Sequence, residues 1–190
     1  MLKKSISLFF VLMLFFFVIS CKDDVLPKPA SQLRLDYPVA KYAHFSNHCP
    51  FEFEMNEDAV IKEDKDCDFS IHYPKMKATI YLTYKTVDNN LTGLLKDAQK
   101  LTYEHVIKAD DILEQPYVNY DKKVFGMFYR VNGNAATNAQ FYATDSLKHF
   151  ITGSVYFYAK PKYDSIMPAA DYVKNDMQRL LETINWTQGR

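Results

Sequence analysis

From Ile6 to Ile19 the chain is an almost unbroken run of apolar residues, preceded by Lys3 and Lys4 and closed by Val18-Ile19-Ser20-Cys21. A positive end, an apolar segment and slim residues before a cleavage point make a secretory signal peptide. Cysteine at the first position after that point makes the pattern a bacterial lipobox. The apolar run of about 14 residues is short of the roughly 20 that a membrane-spanning helix needs. A signal peptide over residues 1–20 is therefore predicted in preference to a transmembrane anchor, with Cys21 acylated as the new N-terminus. One acyl chain binds a membrane only marginally and two hold it stably, so the diacylglycerol normally carried by such a cysteine predicts lasting attachment.

Residues 21–42 follow, with Pro27, Pro29 and Pro38. Proline stiffens this stretch and removes ladder donors, which predicts a tether. Beyond it the period of two takes over. Phe51-Glu52-Phe53-Glu54-Met55 alternates apolar and charged positions, as a half-buried strand does. Ala59–Ile61, Phe69–Tyr73 and the β-branched, aromatic run Ala78–Lys85 read as further strands.

From Asn90 to Ala109 the period changes. Leu91, Leu94, Leu95, Ala98, Leu101 and His105 share one helical face, and Asn89 or Asn90 suits the N-cap. His105 on that stripe reads as a packed core residue. Val124–Val131, Ala136–Thr144 and His149–Ala159 return to strand. They are separated by Asn132-Gly133-Asn134, a tight-turn signal, and by Asp145-Ser146-Leu147-Lys148. Strands joined so closely run antiparallel. The last element is a helix opened by Pro168 in its first turn, with Val173, Met177, Leu180, Leu181 and Ile184 on one stripe and Trp186 closing the core.

This order predicts an α+β fold, in which a mainly antiparallel sheet is flanked by two helices as an α/β/α sandwich. The layout is similar to the Mog1/PsbP-like one, a likeness that carries no function. About 170 residues after cleavage suit one globular domain, here residues 43–190. The abundance of Tyr and Phe, at 14 each, against 5 Gly supports high strand content.

Charge excludes one partner class. The whole chain is neutral, and loss of Lys3 and Lys4 with the signal peptide leaves about −2, without a basic stripe for nucleic acid. Export also sets the redox setting. Cys49 and Cys67 in an oxidising compartment predict a disulfide. It would close a loop of roughly 17 residues and stabilise by about 3 kcal/mol in the chain-entropy model. Free thiols, or a zinc-type set from His44, His48, Cys49, Cys67 and His72, are the alternatives, although no CxxC or HExxH spacing organises the latter. No metal and no cofactor are expected.

No Gly-rich phosphate loop, GxSxG elbow, HExxH or paired CxxC occurs in the sequence. Asp145, Ser146 and His149 lie too close on one turn for a nucleophile, base and orienter. They read as a polar turn with Asp145 capping backbone amides. Glu57, Asp58, Glu63, Asp64, Asp66 and Asp68 lack the frame of a calcium loop and read as a solvated face. The chain is not expected to be an enzyme. Lys22-Asp23-Asp24 looks like an acidic surface-export signal of Bacteroidetes lipoproteins. Asp145-Ser146-Leu147 and Asp164-Ser165-Ile166 look like O-glycosylation sites of the same phylum. Ordinary tether charges and ordinary turns explain these short patterns equally well.

Several runs in order resemble the gliding motility lipoprotein GldD family of Bacteroidetes. They are Cys21, Leu26-Pro27-Lys28-Pro29 and Arg34-Leu35-Asp36-Tyr37-Pro38; Cys49-Pro50-Phe51-Glu52-Phe53 and Tyr73-Pro74-Lys75-Met76-Lys77-Ala78-Thr79-Ile80; Thr144-Asp145-Ser146 with His149-Phe150, Tyr156-Phe157 and Asp164-Ser165; and Asp176 to Trp186. Asp68, where the family tends to an aromatic, is a departure. The resemblance implies a non-catalytic accessory role in gliding and in the linked type IX secretion system, with partner lipoproteins or machinery proteins. It implies a cell-envelope location, lipid-anchored on the periplasmic side of the inner or outer membrane, with surface exposure as the alternative. The competing function is a lipoprotein that binds a carbohydrate or lipid through an aromatic-rich pocket.

Overall fold

The computed structural model describes residues 37–63, 65–104, 109–158 and 163–188. The signal peptide, Cys21, Lys22-Asp23-Asp24, most of the tether and His105 lie outside the described residues. Of the two compact units into which the chain divides, Met1–Ser31 lies wholly outside them, and Gln32–Arg190 holds the fold.

The fold is α+β, with mainly antiparallel sheets and two flanking helices. Its strands, in chain order, are β1 (Tyr42–Ser46), β2 (Phe51–Asn56), β3 (Val60–Glu63), β4 (Phe69–Tyr73), β5 (Ala78–Thr86), β6 (Ala109–Asn119), β7 (Val124–Gly133), β8 (Thr137–Thr144), β9 (His149–Phe157) and β10 (Asn185–Trp186). The helices are α1 (Leu91–Glu104) and α2 (Tyr163–Thr183). Seven strands form one sheet in the order β3-β4-β5-β9-β8-β7-β6, and β1-β2-β10 form a second. Every pairing is antiparallel.

The large sheet is two meanders joined in the middle. β3, β4 and β5 form the first. α1 then carries the chain across the sheet to its far edge, and β6 to β9 step back until β9 pairs with β5 from Ala78↔Phe157 to Thr86↔His149. Strand alternation assigns the layers. Ala139, Phe141 and Ala143 of β8 join the main core with Val173, Met177 and Leu180 of α2. The intervening Gln140 and Tyr142 line a small crevice with Leu101 and Thr102 of α1. The helices therefore cover opposite faces, and the small sheet shares the α2 face, packing Phe51 and Phe53 edge-on against Phe69.

Four elements depart from the sequence expectation. The first helix ends at Glu104 among the described residues, and Ala109, expected to end it, opens β6. Asn90 does occupy the N-cap position: its carbonyl accepts the first helical bond, from the Leu94 amide, while its side chain accepts the Asp88 amide. Pro168 lies inside α2, which begins earlier, at Tyr163, so the proline leaves the Asp164 carbonyl without its usual helical donor. β1 and β6 are edge strands that the pattern did not assign.

Two glycines permit close approach. Gly133 has φ +99°, and a Cβ there would lie 2.6 Å from the Asp110 amide, so the end of β7 can meet β6. At Gly153 a Cβ would lie 2.3 Å from the Phe141 ring, which fills the space above β9. Gly153→Ala should displace Phe141 and destabilise the domain by about 1–3 kcal/mol, read as a lower midpoint in urea unfolding at unchanged slope.

Candidate functional site

The apolar stripe of α2 carries one carboxylate that faces inward. Asp176 is 4% exposed. Its Oδ1 accepts the Tyr42 hydroxyl at 2.7 Å and its Oδ2 accepts the Asn56 amide at 2.7 Å. The Tyr73 hydroxyl also bonds it. Asn56 is held in turn, donating to the Tyr172 hydroxyl at 2.9 Å and accepting the Asp58 amide at 2.9 Å. Four elements, β1, β2, β4 and α2, thus meet at one acid whose partners are neutral. Burial raises the Asp176 pKa above its ordinary 3.8, against the pull of the Tyr42, Asn56 and Tyr73 hydrogen bonds. Burial and this carboxylate likewise raise the Tyr42 and Tyr73 hydroxyls.

Three concavities surround this node. One, of about 310 Å³, is lined by Pro38, Asp58, Tyr73, Pro74, Lys75, Met76 and Tyr172. A second, of about 400 Å³, shares Tyr73 and Pro74 and adds Val60, Lys62, His72, Lys77, Thr79 and Tyr158. A third, of about 220 Å³, shares Pro38 and Asp58 with the first. The short 3-10 turn Pro74–Met76 forms a ridge between the first two, ended by Lys77 in the left-handed conformation at φ 51°. Tyr37 packs its ring 5.7 Å from that of Tyr172, so the described chain joins the domain at this same end.

The residues singled out from sequence are dispersed. Cys49 and Cys67 are joined by a disulfide, with Cα atoms 5.8 Å apart. His48 is the other ligand-type residue beside them, and the joined sulfurs offer no thiolate to a metal. His44 pairs with Glu52 at 3.3 Å, and His72 bonds the Thr79 hydroxyl at 3.1 Å, so the histidines do not converge. Oδ1 of Asp145 accepts the amides of Leu147, Lys148 and His149, the backbone-capping role expected of it. The His149 ring instead bonds the Tyr84 hydroxyl at 2.8 Å and stacks on Trp186 at 5.1 Å between centroids. Burial lowers the His149 pKa, outweighing the opposite pull of Asp145. Of the acidic cluster, Asp68 accepts the Tyr84 amide; Asp64 and the Glu63 side chain lie outside the described residues.

Sequence reasoning did not single out the Asp176 node. Its signals were a charge three residues after Val173, on the stripe that α2 buries, and the place of Tyr73 and Asp176 at the starts of two runs that carry the family resemblance; nothing in the apolar and polar pattern of β1, β2 or β4 pointed to the partners.

Comparison with known proteins gives the family of the chain. The profile of the gliding motility lipoprotein GldD family matches residues 22–186. The chain belongs to that family. No curated protein matches it. As a GldD-family lipoprotein the chain is a membrane-anchored component of the cell envelope with an accessory role in gliding motility. The family is not known for enzymatic activity.

Two measurements probe this framework. The folded Asp176 carboxyl holds its proton to higher pH than the unfolded one. Its contribution to stability is therefore complete below the ordinary value of 3.8 and is lost as pH rises through the raised folded value. Asp176→Asn removes that titration, so wild-type stability relative to the variant should fall in urea melts as pH rises from the ordinary carboxylate value of 3.8 through the raised folded one. Separately, Cys49→Ala/Cys67→Ala should lose about 3 kcal/mol, and a thiol reductant should reproduce that loss in the wild-type chain alone.

Proposed function

We propose that this chain is a lipid-anchored, non-catalytic interaction module that serves gliding and the linked type IX secretion system. The observation that carries the reading is the family match, which runs from the residue after Cys21 almost to the end of the chain. Cys21 receives the acyl chains, and residues 22–42 act as the reach between bilayer and globular domain. Cys49 and Cys67 stay oxidised because the compartment is oxidising. Confinement to the membrane raises the effective concentration of weakly bound partners without new contacts, which suits a scaffold.

One observation favours a second reading. The 310 Å³ concavity is lined by Tyr73, Tyr172, Pro38, Pro74 and Met76, an aromatic and apolar wall of the kind that takes a small amphiphile or sugar.

A chromosomal Cys21→Ala replacement decides between them. The scaffold reading expects loss of colony spreading, loss of a secreted type IX cargo, and loss of gliding or secretion proteins from in-cell cross-links. Spreading lost with secretion intact removes the secretion half of the reading. Both intact, with a polysaccharide or lipid recovered on the purified domain, replaces the scaffold by the binding protein.

A further inference from the structure

We infer that the end of the domain around the Pro74–Met76 turn rests directly on an anionic lipid surface. Strand register brings this end together. β1 begins here opposite the close of β2 (Tyr42↔Asn56), and β3 begins here opposite the close of β4 (Val60↔His72). β5 starts between the ends of β4 and β9, with Tyr73↔Ala78 and Ala78↔Phe157. The rim so formed carries Lys41, Lys62, Lys75 and Lys77, all exposed. None of the four makes an ion pair among the described residues.

Apolar groups stand among them. Val39 is 90% exposed, Val60 51% and Tyr158 62%. Pro74 and Met76 sit on the ridge between the two larger concavities. Lysine heads among the exposed Val39, Val60, Pro74 and Tyr158 are the chemistry of an interfacial contact, in which apolar side chains enter the headgroup boundary and cations meet lipid phosphates. Glu57 and Asp58 share the rim and leave the lysines in excess. Asp110 and Asp111, at the same end, belong to β6 four strands from β5, about 19 Å away at ordinary strand spacing and beyond the screening length of roughly 10 Å.

The position of the anchor selects a membrane as the occupant. Tyr37, Pro38 and Val39 lead into this end, and residues 22–36 are all that separate them from Cys21. The inference rests on the membrane anchoring of the family and adds an orientation to it. Docking turns the opposite end, with the Cys49–Cys67 disulfide and the Asp145–Lys148 turn, away from the bilayer.

The test uses the chain from residue 21 carrying Cys21→Ser, which has no lipid, in co-sedimentation with vesicles. Binding is expected to phosphatidylglycerol/phosphatidylethanolamine vesicles and not to phosphatidylcholine alone, and to fall with added salt. At roughly fivefold per lysine near an anionic leaflet, Lys62→Gln/Lys75→Gln/Lys77→Gln should weaken binding by about 100-fold. The same number of charges removed at the other end, Lys85→Gln/Lys122→Gln/Lys148→Gln, should leave it unchanged. Absence of binding by the lipid-free chain at low salt overturns the inference, as does equal loss in both variants. Equally tight binding to a soluble acidic polysaccharide overturns it too, by making this end a glycan site. None of these outcomes touches Cys21 anchoring, which fractionation of the chain with Cys21 intact reads separately.

Discussion

The pairing of β5 with β9 is the constraint on which the rest depends. Its nine register pairs join residues 78–86 to residues 149–157, and neither strand has an alternative partner on that edge. Before it forms, β3-β4-β5 and β6-β7-β8-β9 are separate meanders, each with an open apolar face. Once it forms, Ile80, Leu82, Ile151 and Val155 lie side by side on one surface, wide enough to be covered jointly by α2 and the small sheet. Such non-local pairing costs loop entropy before any contact rewards it. The long α1 connection, which crosses the opposite face, is part of that cost.

The second dependence is of the candidate site on α2. Its stripe buries Val173, Met177, Leu180 and Leu181, and this fixes the rotation of the helix so that Asp176 faces the small sheet. A helix placed by packing can hold a carboxylate in the interior because β1, β2 and β4 each deliver a donor to it. An unmet buried acid would be far more costly. Because Tyr42 opens the first strand and Tyr37 packs on Tyr172, the first described residues of the chain are tied to the helix that closes the core. The same geometry builds the concavities: Tyr73 and Tyr172 are at once donors or neighbours of the node and walls of the 310 Å³ cavity.

Much of this was legible residue by residue, and the gaps have physical causes. β5 and β9 announce themselves because both are rich in β-branched and aromatic side chains, and the β7–β8–β9 meander because Asn132-Gly133 and Asp145-Ser146 punctuate it. β6 did not. It is an edge strand with most positions solvent-facing, so Asp110, Asp111, Glu114 and Pro116 suppress the alternation and read as loop, while blunting the edge as such residues do. β1 is short and half-solvated for the same reason. Pro168 misled by position: proline signals a first turn in general, yet here a turn of helix precedes it. The node was beyond the pattern because Tyr42 and Asn56 stand 134 and 120 residues from Asp176. Local periodicity carries no information over such separations.

The runs that carry the family resemblance are scattered along the chain and gathered in space. Tyr37-Pro38, Tyr73 to Lys77 and the start of Asp176 to Trp186 converge at one end of the sheet. Cys49 to Phe53, Thr144-Asp145-Ser146, His149 and Trp186 converge toward the other. There Trp186 pairs with Phe51, stacks on His149 and donates its ring N–H to the Lys123 carbonyl, while the Thr187 hydroxyl donates to the Cys49 carbonyl. Nine-residue strands such as β5 and β9 separate the two ends by about 30 Å. A rigid antiparallel sheet cannot bring such sites together, so whatever each end contacts, it contacts separately. For a membrane-anchored protein whose chain joins the domain at the Tyr37 end, the disulfide end is the one presented furthest from that junction.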